Sequence, residues 1–531
     1  MLSNPADISS SPSPSSSGSN ILSLQCFHII LSIFLEAWAL LLYTITNQRT
    51  IRTKTARQYN CDIPFTYPHL DPIFGTDLKF QEIQQSLRHQ SITFSANLHR
   101  KYGKTFEIVN FGTFSLRSID TENIQAVYST NYNDWGYEPS RLSVMGPFCG
   151  RGFITTDGDT WQKARALLRP TFSKSNISDL SAYKGAVEQF LRNIPDDGCT
   201  TVDLQPLLAN LYLETSLKFL IGISPDTSNE DERKKATEFI KAFNASMIGM
   251  ELSFMIGPFK FLIPKSLTTV AHKQVYEYID VLVDNALEKT REELTHKENS
   301  NVPMQKSLLE GLAKQTDDRI EIRQNIIQGM MAAQGTTYVL ISNTLFLLSR
   351  NPDLYERLRD EVRYVDLELS SQLFDVLRDH VFLQNILRES LRIYPVFPIM
   401  NHIALRDTIL PRGGGINGES PLFAPKGTTI YTNQYALHRD EKVFGNDVES
   451  FKPDRCDSVN CKPTSWEYTP FGGGPRACVG QQKALVEAAY TVAKIAQVYK
   501  GLESRDDRDW EGEWKLTAKN INGCKVVCIP A

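Results

Sequence analysis

Ten consecutive residues near the C-terminus, Phe471-Gly-Gly-Gly-Pro-Arg476-Ala-Cys478-Val-Gly480, combine one thiol, one guanidinium and four glycines. The next residues, Gln481-Gln-Lys-Ala-Leu-Val-Glu-Ala, read as the start of a helix. Cys478 therefore lies where backbone N–H groups and the helix dipole lower a thiol's pKa. A thiolate so placed is a good ligand for a soft metal. The glycines at 472–474 and 480 let the backbone approach a flat group closely, and Phe471 can pack beside the sulfur.

This loop resembles the cysteine loop of the cytochrome P-450 superfamily, whose F-x-x-G-x-R-x-C-x-G pattern is met in full by Phe471, Gly474, Arg476, Cys478 and Gly480. The resemblance implies a haem b cofactor with Cys478 as its axial thiolate and Arg476 paired with a haem propionate. Three further segments match in chain order. Trp161 and Arg165, in DGDTWQKARALLRPTF, fit the W-x-x-x-R of a helix that adds propionate contacts; four residues apart, they share one helical face. Glu389 and Arg392, in ILRESLRIYP, fit E-x-x-R, and Arg455 in FKPDR completes the Glu-Arg-Arg network that the family buries behind its haem. An isolated E-x-x-R decorates many solvated helices, so its weight here comes from its order and distance relative to Cys478. The stretch NIIQGMMAAQGTT, residues 325–337, resembles the long helix across the distal haem face. There Ala332, Ala333 and Gly335 leave room, and Thr336, followed by Thr337, offers a hydroxyl that can hold a water.

Two positions depart from the family pattern. Gly335 stands where relatives carry an acid, so protons must come from solvent, from Gln334 or from the substrate. His402 stands where many relatives place a propionate-binding arginine, and an imidazole is only partly charged at neutral pH.

The elements that must hold these residues are legible in outline. Residues 1–20 are a Ser/Pro-rich tail that cannot bury enough apolar surface to order itself. Residues 21–45, ILSLQCFHIILSIFLEAWALLLYTI, are apolar enough and, at 1.5 Å per residue, long enough to cross a bilayer. A basic linker follows over 46–60, with Arg49, Arg52, Lys54 and Arg57. With Asp7 the single charge upstream, the positive-inside rule puts the remainder on the cytosolic side. Helical periodicity runs from Thr160 to Arg392, and strand-like sequence resumes near Ile403 and at KLTAKNINGCKVVCIP. This is a mainly α fold with small β-sheets (α+β) over residues 61–531, behind a membrane anchor. Residues 131–150 read as a long connection where relatives place a substrate-gating loop. Residues 247–263, MIGMELSFMIGPFKFLI, read either as a membrane-dipping segment or as a core helix and turn.

Composition narrows the function further. With 57 Lys and Arg against 61 Asp and Glu, the net charge of −4 excludes a general nucleic-acid binder. Nine unevenly spaced cysteines make no disulfide framework, and the pairs Cys456/Cys461 and Cys524/Cys528 lack the histidines that would complete a zinc site. The runs GRGFITTDGDTW, ALRDTILPRGGG and QQKALVEAAY are similar to membrane-bound fungal alkane and fatty-acid hydroxylases. That likeness implies a monooxygenase that inserts oxygen into a lipophilic chain, either a fatty-acyl or alkane chain or a secondary metabolite, at the endoplasmic reticulum membrane. No flavin or nicotinamide motif is present, so NADPH would act only through a separate NADPH-cytochrome reductase, with cytochrome b5 a candidate second donor. Lys163, Lys452 and Lys483 are candidates to steer that partner. Alternatives are a haem-thiolate isomerase, dehydratase or peroxide-using enzyme that needs no reductase, and a non-catalytic haem-binding membrane protein.

Overall fold

The computed structural model describes residues 49–224, 229–296, 307–368, 372–457, 461–515 and 517–531, together with residues 31, 32, 35, 36, 43 and 47. The expected tail and nearly all of the expected membrane span lie outside the described residues.

The helices that build the site are α1 (Glu138–Cys149), α2 (Gly158–Leu168), α3 (Leu204–Ile221), α4 (Glu230–Ile256), α5 (Thr269–His296), α6 (Arg319–Leu348), α7 (Val381–Ile393) and α8 (Gln481–Val498). The central one is α6. Its N-terminus is fixed by the Asp318 carboxylate, which accepts the N–H groups of Ile320 and Glu321. Thirty residues long and apolar on nearly every face, it must be enclosed on all sides. Helices α3 and α8 pack along it.

Two large hydrophobic clusters share this helix. One takes Ile322, Ile326, Ile327, Met330 and Met331; the other takes Val339 to Ile341 and Leu345 to Leu348. Between them, Ala332 is exposed and Ala333, Gln334, Gly335 and Thr336 are half-buried, in the middle of a helix otherwise surrounded by protein. An opening flanked by two packed cores is an internal one.

The sheets are small, as expected. Strands β1 (Thr105–Asn110), β2 (Thr113–Ser118), β3 (Trp135–Gly136), β5 (Ile399–Ala404) and β8 (Thr429–Asn433) form one sheet in the order β1-β2-β8-β5-β3. Pairing of β2 with β8 is parallel and the other pairings are antiparallel. The β3–β5 register sets Gly136 opposite Ile403, which brings the start of the 131–150 segment beside His402. The remaining strands are β4 (Val202–Asp203), β6 (Thr408–Gly414), β7 (Ser420–Ala424), β9 (Tyr499–Ser504), β10 (Gly512–Trp514), β11 (Ala518–Asn520) and β12 (Lys525–Pro530). They pair as β6–β7, β4-β12-β9 and β10–β11.

The 131–150 expectation is corrected, and the 247–263 segment keeps both of its readings. Most of the 131–150 connection is the helix α1, which tolerates Pro139 in its first turn and carries Pro147 within it. The 247–263 segment continues α4 to Ile256 and then breaks at Gly257-Pro258 into a short 3₁₀ turn, Gly257–Leu262. Around that turn Met255 and Phe261 are each 75% exposed and Leu262 68%. Among the described residues α4 is the single helix long and apolar enough to cross a membrane.

Candidate functional site

The cysteine loop is closed by a hydrogen bond from the Cys478 N–H to the Phe471 carbonyl, 3.0 Å. Glycine is required at 474: its φ is +61°, and a Cβ there would fall 1.9 Å from the Tyr128 carbonyl oxygen. At Gly480 a Cβ would meet the Cys478 sulfur at 4.0 Å and the Phe172 ring at 3.6 Å, so the absent side chain keeps one flank of the thiol clear. The thiol is accessible by area, yet protein surrounds it closely enough for burial to raise its pKa. Both hold when the space it faces is internal. The sequence reading anticipated a lowered pKa. Burial outweighs the opposing pull of the Gly480 and Gln481 N–H groups and of the Arg165 guanidinium.

A cluster of cations stands beside this loop. Arg476 Nη1 donates to the Asp157 carboxylate at 3.0 Å and to the Thr156 carbonyl at 3.1 Å, and its guanidinium lies over the rings of Trp161 (4.5 Å) and Tyr137 (4.9 Å). Burial holds its pKa down at about 10. One helical turn after Trp161, Arg165 donates to the Ala477 carbonyl at 2.7 Å and so ties α2 to the cysteine loop. Arg141 donates to the Ile154 carbonyl at 3.1 Å and lies over the Tyr137 ring at 3.8 Å. Of the three guanidiniums, Arg476 alone has a carboxylate partner among the described residues.

His402 is buried between Tyr128 (4.6 Å) and Tyr137 (4.3 Å). Burial, together with the charges of Arg141 and Arg476, pushes its pKa well below the ordinary imidazole range. The expectation of a partly charged histidine is therefore corrected: the ring is neutral at pH 7. Its Nδ1 and the Trp135 Nε1 are buried without partners, which is costly unless a ligand satisfies them.

These features fit a haem. Three cations against one carboxylate leave two positive charges, the number that two propionates neutralise. Two orphaned ring nitrogens await acceptors, and an open thiol beside a glycine loop suits a thiolate ligand to iron.

Glu389, Arg392 and Arg455 form one buried ion network. The Glu389 carboxylate accepts from Arg392 Nε (2.8 Å) and Nη2 (2.9 Å), from Arg455 Nε (3.2 Å) and from the Lys452 N–H (3.1 Å). Glu389 is 0% exposed and Arg392 2%, so the pair is wholly desolvated and depends on these bonds. Arg392 Nη1 also donates to the carbonyls of His438 (3.0 Å) and Val448 (2.8 Å), fixing the segment that leads into the cysteine loop.

On α6, Thr336 Oγ1 donates to the Ala332 carbonyl at 3.1 Å, while Thr337 is buried. Gly335 faces the β10–β11 hairpin: a Cβ there would meet Thr517 Oγ1 at 3.8 Å.

The residues that sequence reasoning missed are Trp135, Tyr137, Arg141 and Asp157. They lie in or beside stretches it had singled out, but their convergence depends on the β3–β5 pairing, which no local pattern encodes. The three candidate docking lysines are each ion-paired: Lys163 with Glu321, Lys452 with Asp447 and Lys483 with Glu487. Cys524 and Cys528 are buried, and no group of three metal-ligating side chains occurs among the described residues.

A family model described as Cytochrome P-450 matches residues 67–521. The cytochrome P-450 monooxygenase himC of Aspergillus japonicus is 34% identical over 461 residues, 87% of this chain and 82% of that protein. The cytochrome P-450 monooxygenase FPY7 of Fusarium mangiferae is 33% identical over 489 residues, 91% and 92% of the two chains. Cytochrome P-450 52A12 of Debaryomyces hansenii is 30% identical over 453 residues, 82% and 86%.

Proposed function

The chain belongs to the cytochrome P-450 family, and from that premise we propose that it is a haem-dependent monooxygenase of lipophilic substrates, in which the Cys478 thiolate would ligate the iron. Haem, when bound, supplies oxygen activation under the electron push of its thiolate. The chain's residues do the rest. Arg141, Arg165 and Arg476 would neutralise the propionates, His402 and Trp135 would donate ring N–H groups to them, and Trp161 lies under Arg476. Glu389, Arg392 and Arg455 hold the segment before the cysteine loop. Thr336 positions a water on the distal side. Phe471, Gly474 and Gly480 shape the space around the sulfur. The observation that carries this reading is the accessible thiol of Cys478 beside an excess of two positive charges.

Electrons would come from NADPH through a separate reductase, with cytochrome b5 as an optional second donor. The reading extends to a single span at 21–45 in the endoplasmic reticulum membrane, with the domain from 61 to 531 in the cytosol. Two observations support a membrane-seated domain. Arg49 Nη2 donates to the Pro72 carbonyl at 2.6 Å, and Arg49 and Arg52 both lie over the Phe114 ring, so the basic linker is docked on the β1–β2 hairpin. The exposed Met255, Phe261 and Leu262 give a second apolar contact.

The relatives' printed names support a monooxygenase; the choice of a secondary metabolite or an alkane or fatty-acyl chain as substrate rests on the likeness of GRGFITTDGDTW, ALRDTILPRGGG and QQKALVEAAY to fungal hydroxylases. The test is incubation of the holoenzyme with reductase, NADPH and ¹⁸O₂ on candidate lipophilic substrates. One labelled oxygen in the product, lost when reductase is omitted, is expected. Product formed equally without reductase would favour the isomerase or peroxide-using alternative, for which Gly335 is the one hint.

A further inference from the structure

The opening in the middle of α6 is not lined by apolar groups alone. Gln334 Nε2 donates to Asn244 Oδ1 at 3.2 Å. This bond joins α6 to α4, two helices that otherwise touch little, the main neighbours of α4 being α5 and α1. Asn244 is exposed and Gln334 half-buried, within the same stretch in which Ala332, Gly335 and Thr336 are accessible. The bond uses one half of each amide. The Gln334 carbonyl oxygen and the Asn244 NH₂ have no partner among the described residues, so the pair presents an acceptor and two donors toward the open space. The Thr517 hydroxyl approaches Gly335 in the adjoining position of the same helix. All three groups are uncharged.

From this geometry we infer that the substrate carries an uncharged hydrogen-bonding group, an amide, carbonyl or hydroxyl, that docks on the Asn244–Gln334 amide bridge. The inference rests on the monooxygenase reading and names the substrate class of that site. A plain hydrocarbon entering this space strips water from both amides and returns nothing, whereas a ligand with a matching polar group replaces that water bond for bond. Sites built to hydrogen-bond reject the analogue that lacks the group far more strongly than apolar pockets discriminate by a methylene. The polar anchor also helps fix which carbon faces the reactive centre, because a hydrogen bond is directional whereas apolar contact is not. Gly335 fits this picture: with no carboxylate at that position, a charged group does not compete for the amides or for an uncharged substrate.

The test uses probes of matched length, dodecanamide, 2-tridecanone and tridecane, titrated into the holoenzyme. Binding is followed by the change in the haem spectrum and by calorimetry. In the wild type, dodecanamide and 2-tridecanone are expected to bind at least about 10-fold more tightly than tridecane. In Gln334→Leu that preference should collapse to about twofold, with the amide weakened and the alkane tightened. Asn244→Leu, at an exposed position that folding does not depend on, should do the same. Equal affinity for tridecane and dodecanamide in the wild type, or a preference that survives both substitutions, overturns the inference. Each protein is first checked for thiolate-type carbon monoxide binding. Loss of that signature in the wild type would count against the monooxygenase reading, whereas its presence without discrimination counts against the amide-bridge inference alone.

Discussion

Replacing Glu389 by glutamine removes one charge from the most deeply buried ionic network of the molecule with almost no change of shape. In the wild type this carboxylate accepts four hydrogen bonds, two from Arg392, one from Arg455 and one from the Lys452 N–H. After the substitution Arg455 keeps its pairing with Asp447, 2.5 Å away. Arg392, 2% exposed, keeps the glutamine carbonyl oxygen and the backbone carbonyls of His438, Val448 and Ser450 as acceptors but has no charged partner. The amide NH₂ of glutamine must also face a guanidinium. Breaking a buried pair by removing one partner costs about 3–5 kcal/mol. Because Arg455 retains a carboxylate, the lower end of that range, about 3 kcal/mol, applies. Domains of 150–250 residues shift in Tm by about 2–4 °C per kcal/mol and longer chains by less, so a fall of about 5 °C is expected. The assay is scanning calorimetry of the solubilised holoenzyme, with Glu503→Gln as control. Glu503 pairs with Arg505 at 3.0 Å on the surface, where a pair contributes about 1 kcal/mol or less. If Glu389→Gln melts as close to wild type as Glu503→Gln does, the network does not hold the fold behind the cysteine loop.

Three further outcomes follow from the same geometry. His438 and His99 are buried neutral with pKa values of about 3, so each binds a proton more readily when unfolded. Their stability contribution is present above about pH 6.5 and is lost as pH falls, at about 1 kcal/mol per group between pH 6.5 and 5.5. Melting curves across that range should steepen accordingly, and His438→Asn should flatten them; an unchanged slope would remove His438 from the account. Arg141→Leu, at a residue that the motifs did not flag, should weaken haem retention about 10-fold, as loss of a charge-assisted bond does. Transfer of haem to excess apomyoglobin measures this, and a wild-type transfer rate would refute a propionate role. Gly335→Asp has room for its Cβ, whose nearest neighbour is Thr517 at 3.8 Å. With an uncharged generic fatty-acid ester it should raise product formed per NADPH consumed by restoring an acid next to Thr336. Unchanged coupling, or full turnover in Thr336→Ala, would end that proton-delivery argument.

The parts of the site written as contiguous sequence are legible in the sequence: the cysteine loop, Trp161 and Arg165 on one face of α2, and Glu389 with Arg392 on one turn of α7. Each of these is local geometry, fixed by glycine φ values or by helical spacing. The parts that escaped depend on pairings between distant segments. Tyr137 reaches His402 only through the β3–β5 register, and Arg141 reaches Tyr137 only because the 131–150 connection is largely helical. The charge state of His402 also escaped, since burial and two neighbouring guanidiniums are invisible in one dimension. The thiol pKa was read in the wrong direction for a similar reason: the helix terminus is local, whereas the burial that outweighs it is not. Of the three lysines' ion pairs, Lys163 with Glu321 links distant segments, Lys452 with Asp447 spans five residues of an irregular segment, and Lys483 with Glu487 alone follows from helical spacing.

The central claim is that Cys478 binds haem iron through sulfur, and the reduced carbon monoxide spectrum tests it most directly. The wild-type holoenzyme is predicted to absorb at the position diagnostic of a thiolate-ligated haem, and Cys478→Ala is predicted to lose that band while remaining folded by circular dichroism. A wild-type protein that binds haem without the thiolate band, or a Cys478→Ala protein that keeps it, would contradict the account.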